Sequence, residues 1–262
     1  MKTVFLRATL CVAMVAMMSV FVACGGNSDS SVTPCEIDDS SIKDGYDAAA
    51  NTLTDARDNQ TYKTVTIGDQ TWMAENLNYA YNEPTSSLDS SSVCYNNDAH
   101  FCVHYGRLYL WSAAMDSAAV FSTAGKGCGY GKTCASAGSA ILVRGVCPEG
   151  WHLPNDDEWN TLFTAVGGTS VAGTKLKSLS GWRRSGEGTN AFGFSALPAG
   201  YSSTSNLDYF HDVGDGAIFW TSSENDSISA YYVGFAYSHE RAIARNVRKY
   251  NALSVRCLRD SE

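Results

Sequence analysis

Basic residues are scarce in this chain. In 262 residues, 19 Lys and Arg stand against 27 Asp and Glu, a formal charge of −8, and removing the first 23 residues with Lys2 and Arg7 takes it to −10. A generic nucleic-acid binder carries the opposite sign. Charged residues of both signs make up only 18%, below the ~25% of typical soluble domains. Catalytic and metal signatures are missing as well: the sequence contains no CxxC, no HExxH, no GxSxG and no EF-hand spacing. Sequence-level support is therefore absent for a paired-cysteine zinc or redox site, a zinc protease, a hydrolase nucleophile elbow and a helix-loop-helix calcium site. No repeat of about 20 to 50 residues points to a solenoid. What the chain does have is 44% hydrophobic residues, 23 Gly and 14 Tyr, a balance that favours a loop-rich, strand-rich domain over a helical bundle.

The N-terminus reads as an export signal. Lys2 and Arg7 precede an apolar run from Ala8 to Ala23 that ends in small residues before Cys24-Gly25-Gly26, the pattern of a secretory signal peptide (1–23) with lipidation at Cys24. Phe21 stands where such signals usually carry leucine. The run is interrupted by Thr9 and Ser19 and is shorter than the ~20 apolar residues of a membrane span, the alternative reading. Residues 24–51 are rich in Ser, Asp and Gly, with too little apolar surface to offset the entropy of ordering them. They read as a flexible tether reaching ~25 to 30 Å on average, followed by a folded domain over 52–262.

Nine cysteines fall at 11, 24, 35, 94, 102, 128, 134, 147 and 257. Cys11 leaves with the signal and Cys24 carries lipid, so an odd seven remain. Export makes disulfides the default, and Cys94/Cys102 and Cys128/Cys134 each bracket a short polar loop. Spacing alone leaves the connectivity open. The expected set is Cys94 with Cys102, Cys128 with Cys134, and Cys147 with Cys257, leaving Cys35 available for an intermolecular bond.

Patterning gives the element order. Thr61 to Ile67 and Gln70 to Ala74 read as a hairpin turning at Gly68-Asp69, after an earlier strand near Leu53 to Arg57 that turns at Asp58-Asn59. Residues 79–104 read as a stapled polar surface loop, and Trp111 to Ala119 favours a helix. Asn155, the acids Asp156, Asp157 and Glu158, and the apolar face of Trp159, Leu162, Phe163 and Val166 mark a capped helix stopped by Gly167-Gly168, with a second from Val171 to Leu179. Ala217 to Thr221, Ala230 to Tyr237 and Leu253 to Leu258 read as strands. Strands, helices, then strands imply an α+β fold with antiparallel sheets and two or three short helices, stapled by disulfides.

Individual sites weaken on inspection. Gly125 to Thr133 ends in Gly-Lys-Thr, but Lys126 stands where a phosphate loop needs glycine. A disulfide-closed loop is the better reading. Of the five histidines at 100, 104, 152, 211 and 239, His100 and His104 fall in the polar loop, and His152 reads as a structural hydrogen-bonding residue. Gly193-Phe-Ser195 lacks the second glycine of a nucleophile elbow. The acids at 156 to 158 suit a helix N-terminus better than a glycosidase pair. Oxygen-rich loops at 82–90, 206–216 and 222–229 remain calcium candidates only by composition.

Several segments together carry a resemblance. Thr64 to Asn78, Tyr105 to Tyr109, Cys147-Pro-Glu-Gly-Trp-His-Leu-Pro154, Phe192 to Gly200 and Ser254-Val-Arg-Cys257 resemble the Fibrobacter succinogenes major paralogous domain, over residues about 52 to 260. The resemblance implies an exported, lipid-anchored envelope protein, at the outer membrane or cell surface, with a C-type lectin-like fold related also to formylglycine-generating enzymes. It implies that Cys257 ties the last strand back near Cys147. A calcium-dependent sugar site would show Glu-Pro-Asn and Trp-Asn-Asp, whereas the chain has Glu83-Pro84-Thr85, and a formylglycine-type site would need a late cysteine pair, whereas only Cys257 is present. Neither site carries over.

The reading that follows is a noncatalytic lectin-like binding and adhesion module on a lipid anchor. It has no metal, no cofactor and no nucleic-acid partner, and a polysaccharide or an envelope component is its ligand. Tyr201, Tyr209 and Phe210 are the expected ligand-binding aromatics, taken as loop residues able to stack on sugar faces. The alternative is a structural or protein-binding component of the outer envelope without a small-molecule ligand.

Overall fold

The computed structural model describes residues 45–85, 91–136, 141–203 and 207–261. The expected signal peptide, the lipid-bearing Cys24 and the unpaired Cys35 lie outside the described residues. So does the expected tether up to residue 44, but its end is part of the fold. β1 (Tyr46–Asp47) pairs with β2 (Thr52–Thr54) through Tyr46↔Leu53 and Asp47↔Thr52. The Asp47 carboxylate closes the turn by accepting the N–H groups of Ala49 and Ala50, and the Tyr46 ring meets Trp151 edge-on at 5.9 Å. Composition hid this because one aromatic anchor and one turn aspartate suffice to order the segment.

The expected hairpin forms as β3 (Thr61–Ile67) and β4 (Gln70–Met73), in register Ile67↔Gln70, with Gly68 at φ +61° in the turn. The strand expected from Leu53 to Arg57 stops at Thr54. Asp55 takes both the Arg57 backbone N–H and its guanidinium, a local bond that competes with the sheet ladder.

After β5 (Ser92–Val93), the stapled region contains a helix that was not expected, α1 (Ala99–Tyr105), capped by the Asp98 side chain on the His100 N–H. β6 (Leu108–Leu110) leads directly into α2 (Trp111–Ala114), far shorter than the Trp111 to Ala119 helix expected. Asp116, at φ +56°, ends it. Its buried carboxylate accepts the N–H groups of Val120, Phe121 and Ser122 and the Tyr81 hydroxyl, so the side chain organises a turn instead of a further helical turn.

β7 (Trp151–His152) precedes α3 (Asp156–Ala165), which carries the expected reciprocal cap: Asn155 Oδ1 accepts the Glu158 N–H at 3.0 Å and Glu158 Oε2 accepts the Asn155 N–H at 2.8 Å. α4 (Thr169–Leu176) ends before Leu179, because Lys177 turns extended and buries its ammonium against the carbonyls of Ala236 and His239. The helices number four among the described residues, one more than the upper expectation.

β8 (Ala199–Ser202), β9 (Phe210–Val213), β10 (Gly216–Glu224), β11 (Ser229–Ala236), β12 (Ala242–Arg248), β13 (Ala252–Leu253) and β14 (Leu258–Arg259) complete the chain. The sheets have orders β1-β2-β3-β4-β14-β7, β5-β6-β13-β8-β9 and β10-β11-β12, with every strand pair antiparallel. The α+β expectation with antiparallel sheets agrees with this arrangement. One apolar core gathers Tyr109, Trp111, Trp151 and Trp220, and a second gathers Trp72, Trp159, Phe194, Phe219 and Phe235.

The single strand expected from Leu253 to Leu258 is instead two short strands in different sheets, joined by Ser254 to Cys257. That crosspiece also bonds to the third sheet: the Trp220 N–H donates to Ser254 O, and the Ser254 N–H donates to Ile218 O. Arg256 explains the break. Its guanidinium, fully buried, donates to Asn76 Oδ1 (2.6 Å), Met73 O (3.0 Å), Phe194 O (2.6 Å) and Ser195 O (2.8 Å), a fan of acceptors that a continuous strand would not reach.

The disulfides join Cys94 with Cys102, Cys128 with Cys134 and Cys147 with Cys257, as expected. By chain entropy the long loop contributes ~5 kcal/mol and each short one about 2 to 3 kcal/mol. Cys147→Ser therefore lowers the melting temperature more than Cys128→Ser, and equal losses in parallel thermal melts would contradict the assignment. Arg256→Met strands four buried acceptors and is expected to cost about 3 to 5 kcal/mol in urea titrations.

Candidate functional site

Of the expected ligand aromatics, Tyr201 lies on β8 and Phe210 opens β9, whereas Tyr209 is the loop residue just before β9. β9 is the edge of its sheet and pairs with β8 in the register Tyr201↔His211 and Ser202↔Phe210. Side chains alternate along a strand, so Tyr201 and His211 share one face and Phe210 takes the other. The Tyr201 and His211 rings stack at 5.2 Å and 28°. Tyr209 meets His211 edge-on at 4.5 Å and is 60% exposed. Ser203 Oγ lies 2.8 Å from His211 Nε2. Gly200 permits the close pairing, since a Cβ there would sit 2.1 Å from the His211 carbonyl oxygen.

Phe210, half-buried, packs on Tyr95 at 5.1 Å, and it and Tyr201 both rest against the same apolar core. The face shared by Tyr201 and His211 carries Tyr209 as its most exposed ring. Burial raises the Tyr201 pKa, with Asp212 and Tyr232 adding to it, so its hydroxyl stays a neutral donor and acceptor. His211 and Ser203 were missed by sequence reasoning. The two-residue alternation Tyr209, Phe210, His211 beside a Tyr201 partner was the available signal, but it is readable only once the register is known.

The model of the Fibrobacter succinogenes major domain matches residues 65–259. The chain belongs to that family. No curated protein and no solved structure matches it. Within this Fibrobacter succinogenes major domain, the segments that carried the resemblance are largely architectural. Ser254 to Cys257 supplies the buried Arg256 and the long disulfide, and Phe192 to Gly200 supplies two of the carbonyls that receive Arg256.

His152, in the Gly-Trp-His-Leu-Pro segment, sits between two carboxylates: Nδ1 is 2.7 Å from Asp260 and Nε2 is 2.9 Å from Glu158. A cleft of about 440 Å³ opens beside it, lined by Asp69, Gln70, Thr71, Leu142 and Arg259. Burial opposes the imidazolium, but its hydrogen bonds to the Asp260 and Glu158 carboxylates and their charges outweigh it and lift the pKa to about 9. At neutral pH the ring is a cation with both N–H groups engaged. It is a clamp between α3 and the C-terminus and has no free nitrogen to act as a base.

His100 and His104 lie on α1, one turn apart. No group of three or more His, Cys, Asp or Glu able to hold a metal occurs among the described residues. Asp156 has its carboxyl raised by burial, against lowering contacts from Thr221 and Ser223. The Gly125 to Thr133 run is closed by the Cys128–Cys134 bond. It is also held from beneath by Lys249, whose Nζ donates to Gly129 O and Lys132 O and forms a buried ion pair with Glu224. Ser195 is occupied, its N–H donated to Asn190 Oδ1. Of the loop at 82–90, residues 86–90 lie outside the described residues.

Because the His152 pKa is raised on folding, its stabilisation is fully present below pH ~6.5 and is lost as pH rises through about 9. Denaturant titrations are expected to show stability falling by roughly 2 to 3 kcal/mol between pH 6 and pH 10. In His152→Gln this loss should be absent over the same window.

Proposed function

We propose that this Fibrobacter succinogenes major domain is a noncatalytic, lectin-like binding module, exported and carried on a lipid at Cys24, whose ligand is a polysaccharide of the cell envelope or of its surroundings. The observation that carries the ligand reading is the edge formed by Tyr201, His211 and Tyr209, with Tyr209 60% exposed. An exposed ring set edge-on to the His211 imidazole, with the Ser203 hydroxyl on that imidazole, offers an apolar face with polar groups at its margin. Sugar rings present the same combination.

The noncatalytic reading is supported by the fully engaged His152 and by the cation pairing of Lys249 with Glu224, which leave these titratable groups occupied in structural bonds. The anchor reading rests on the Ala8 to Cys24 pattern. No helix among the described residues is long and apolar enough to cross a membrane.

The test is a pull-down of the full chain against insoluble cellulose, hemicelluloses and purified envelope, with and without calcium. Saturable polysaccharide binding that Tyr209→Ala weakens about fivefold, matching ~1 kcal/mol for one aromatic contact, with an unchanged melting temperature, supports the module. Binding to an envelope protein alone supports the structural alternative. For the anchor, labelling with a fatty-acid analogue should mark the chain, and Cys24→Ser should abolish the label and release the protein from the membrane fraction.

A further inference from the structure

A second surface combines an exposed and a half-buried aromatic ring with positive charge. Tyr130, at the tip of the loop closed by Cys128–Cys134, is 37% exposed and packs on Tyr250 with ring centroids 5.1 Å apart. Arg248, exposed at the end of the edge strand β12, donates from Nη1 to the Tyr250 hydroxyl at 2.8 Å, and its guanidinium carbon lies 5.6 Å from the Tyr250 ring centre. Lys132 is exposed on the same loop, and Ile228, 39% exposed, adjoins through the Lys249 N–H to Ile228 O bond. The nearby acid Asp226 spends its carboxylate on the N–H groups of Ile228 and Ser229 and on Asn225.

The surface is built on a rigid support. Lys249 holds Gly129 O and Lys132 O, Glu224 accepts the Cys134 N–H, and the Gly131 N–H donates to Ser227 O. The glycines of this run let the loop close tightly, so Tyr130 is presented without a large entropy of ordering. Arg248 has five N–H donors, and its bond to Tyr250 uses one, so a planar fork remains for a carboxylate.

We propose that Tyr130, Tyr250 and Arg248 form a binding platform for uronic-acid residues of an acidic polysaccharide. A uronic acid joins an apolar sugar face to a carboxylate in one unit, which matches a ring face flanked by a guanidinium. On a chain of net charge −8, a cationic spot able to draw in a polyanion is a local exception, and at physiological salt the repulsion from acids elsewhere is screened beyond ~8 Å. The platform is formed by the Gly-rich loop and the turn after β12, and it stands independently of the Tyr209 edge.

Polygalacturonate, its methyl ester and dextran are titrated against the full chain by calorimetry. Saturable binding of polygalacturonate is expected, at least about tenfold weaker in Arg248→Gln and in Tyr130→Ala, unchanged in Tyr209→Ala, and weakening from about 50 to about 500 mM NaCl. Absence of saturable binding, or binding untouched by Arg248→Gln, overturns the proposal. The methyl ester tests the same point on the unaltered protein should a variant fold poorly. Markedly weaker binding of the ester supports a carboxylate ligand, and equal binding overturns it.

Discussion

The guanidinium of Arg256 is the constraint around which the three sheets are arranged. It is fully buried and lies over the rings of Phe194 and Phe219 at 4.8 and 5.5 Å, and all four of its named acceptors are neutral oxygens. Burial pushes its pKa down to about 9, with Glu75 opposing, which still leaves it charged at neutral pH. A buried cation without a carboxylate against it is tolerated only where hydrogen bonds replace its hydration. Here those bonds come from β4, the segment after it and the Phe192 to Gly200 stretch. Moving any of them by an ångström would leave charge unsatisfied, so the sheet edges and the Ser195 turn are fixed together.

The same device recurs at lower stakes. Lys249 ties the Gly-rich loop to β10 through Glu224, Lys177 stops α4, and His152 joins α3 to the C-terminus. Asp116 does so with the opposite sign, shaping the chain after α2. Irregular segments thus derive their order from a buried charge meeting main-chain groups or carboxylates, not from long strands or helices. Such loops are rigid at their bases and present exposed side chains at fixed positions. Tyr130, on the disulfide-closed loop held by Lys249, is displayed in this manner.

How much of this was legible from sequence follows the range of each interaction. The α3 cap was readable because Asn155 and Glu158 are three residues apart and bond each other. The β3–β4 hairpin was readable from Gly68-Asp69 between alternating runs. The long disulfide was already in the set of pairs expected from the cysteines of an exported chain, and the family resemblance agreed with it. By contrast, α1 was concealed by polar residues, and the truncation of α2 depends on the Tyr81 hydroxyl reaching Asp116 from 35 residues away. Splitting of the last strand required knowing that Arg256 would find oxygens 61 to 183 residues distant. At the Tyr209 edge, residue types were legible, but the strand register that turned Phe210 inward and brought His211 to the surface was not.

Arg256 follows in sequence every acceptor it meets, and that sets the order in which the domain can be completed. Until Arg256 and β14 arrive, β4 and β7 lack β14 between them, β6 and β8 have only just gained β13, and the carbonyls of Met73, Phe194 and Ser195 have no cation. A chain made from its N-terminus therefore lacks this lock until Arg256 and β14 have followed all the acceptors and strands they join. Contacts this distant in sequence are slow to form, and the unpaired strand edges that wait for them are open to aggregation. The architecture that makes the finished domain rigid also places its vulnerable interval between delivery of the first strand and release of the last one.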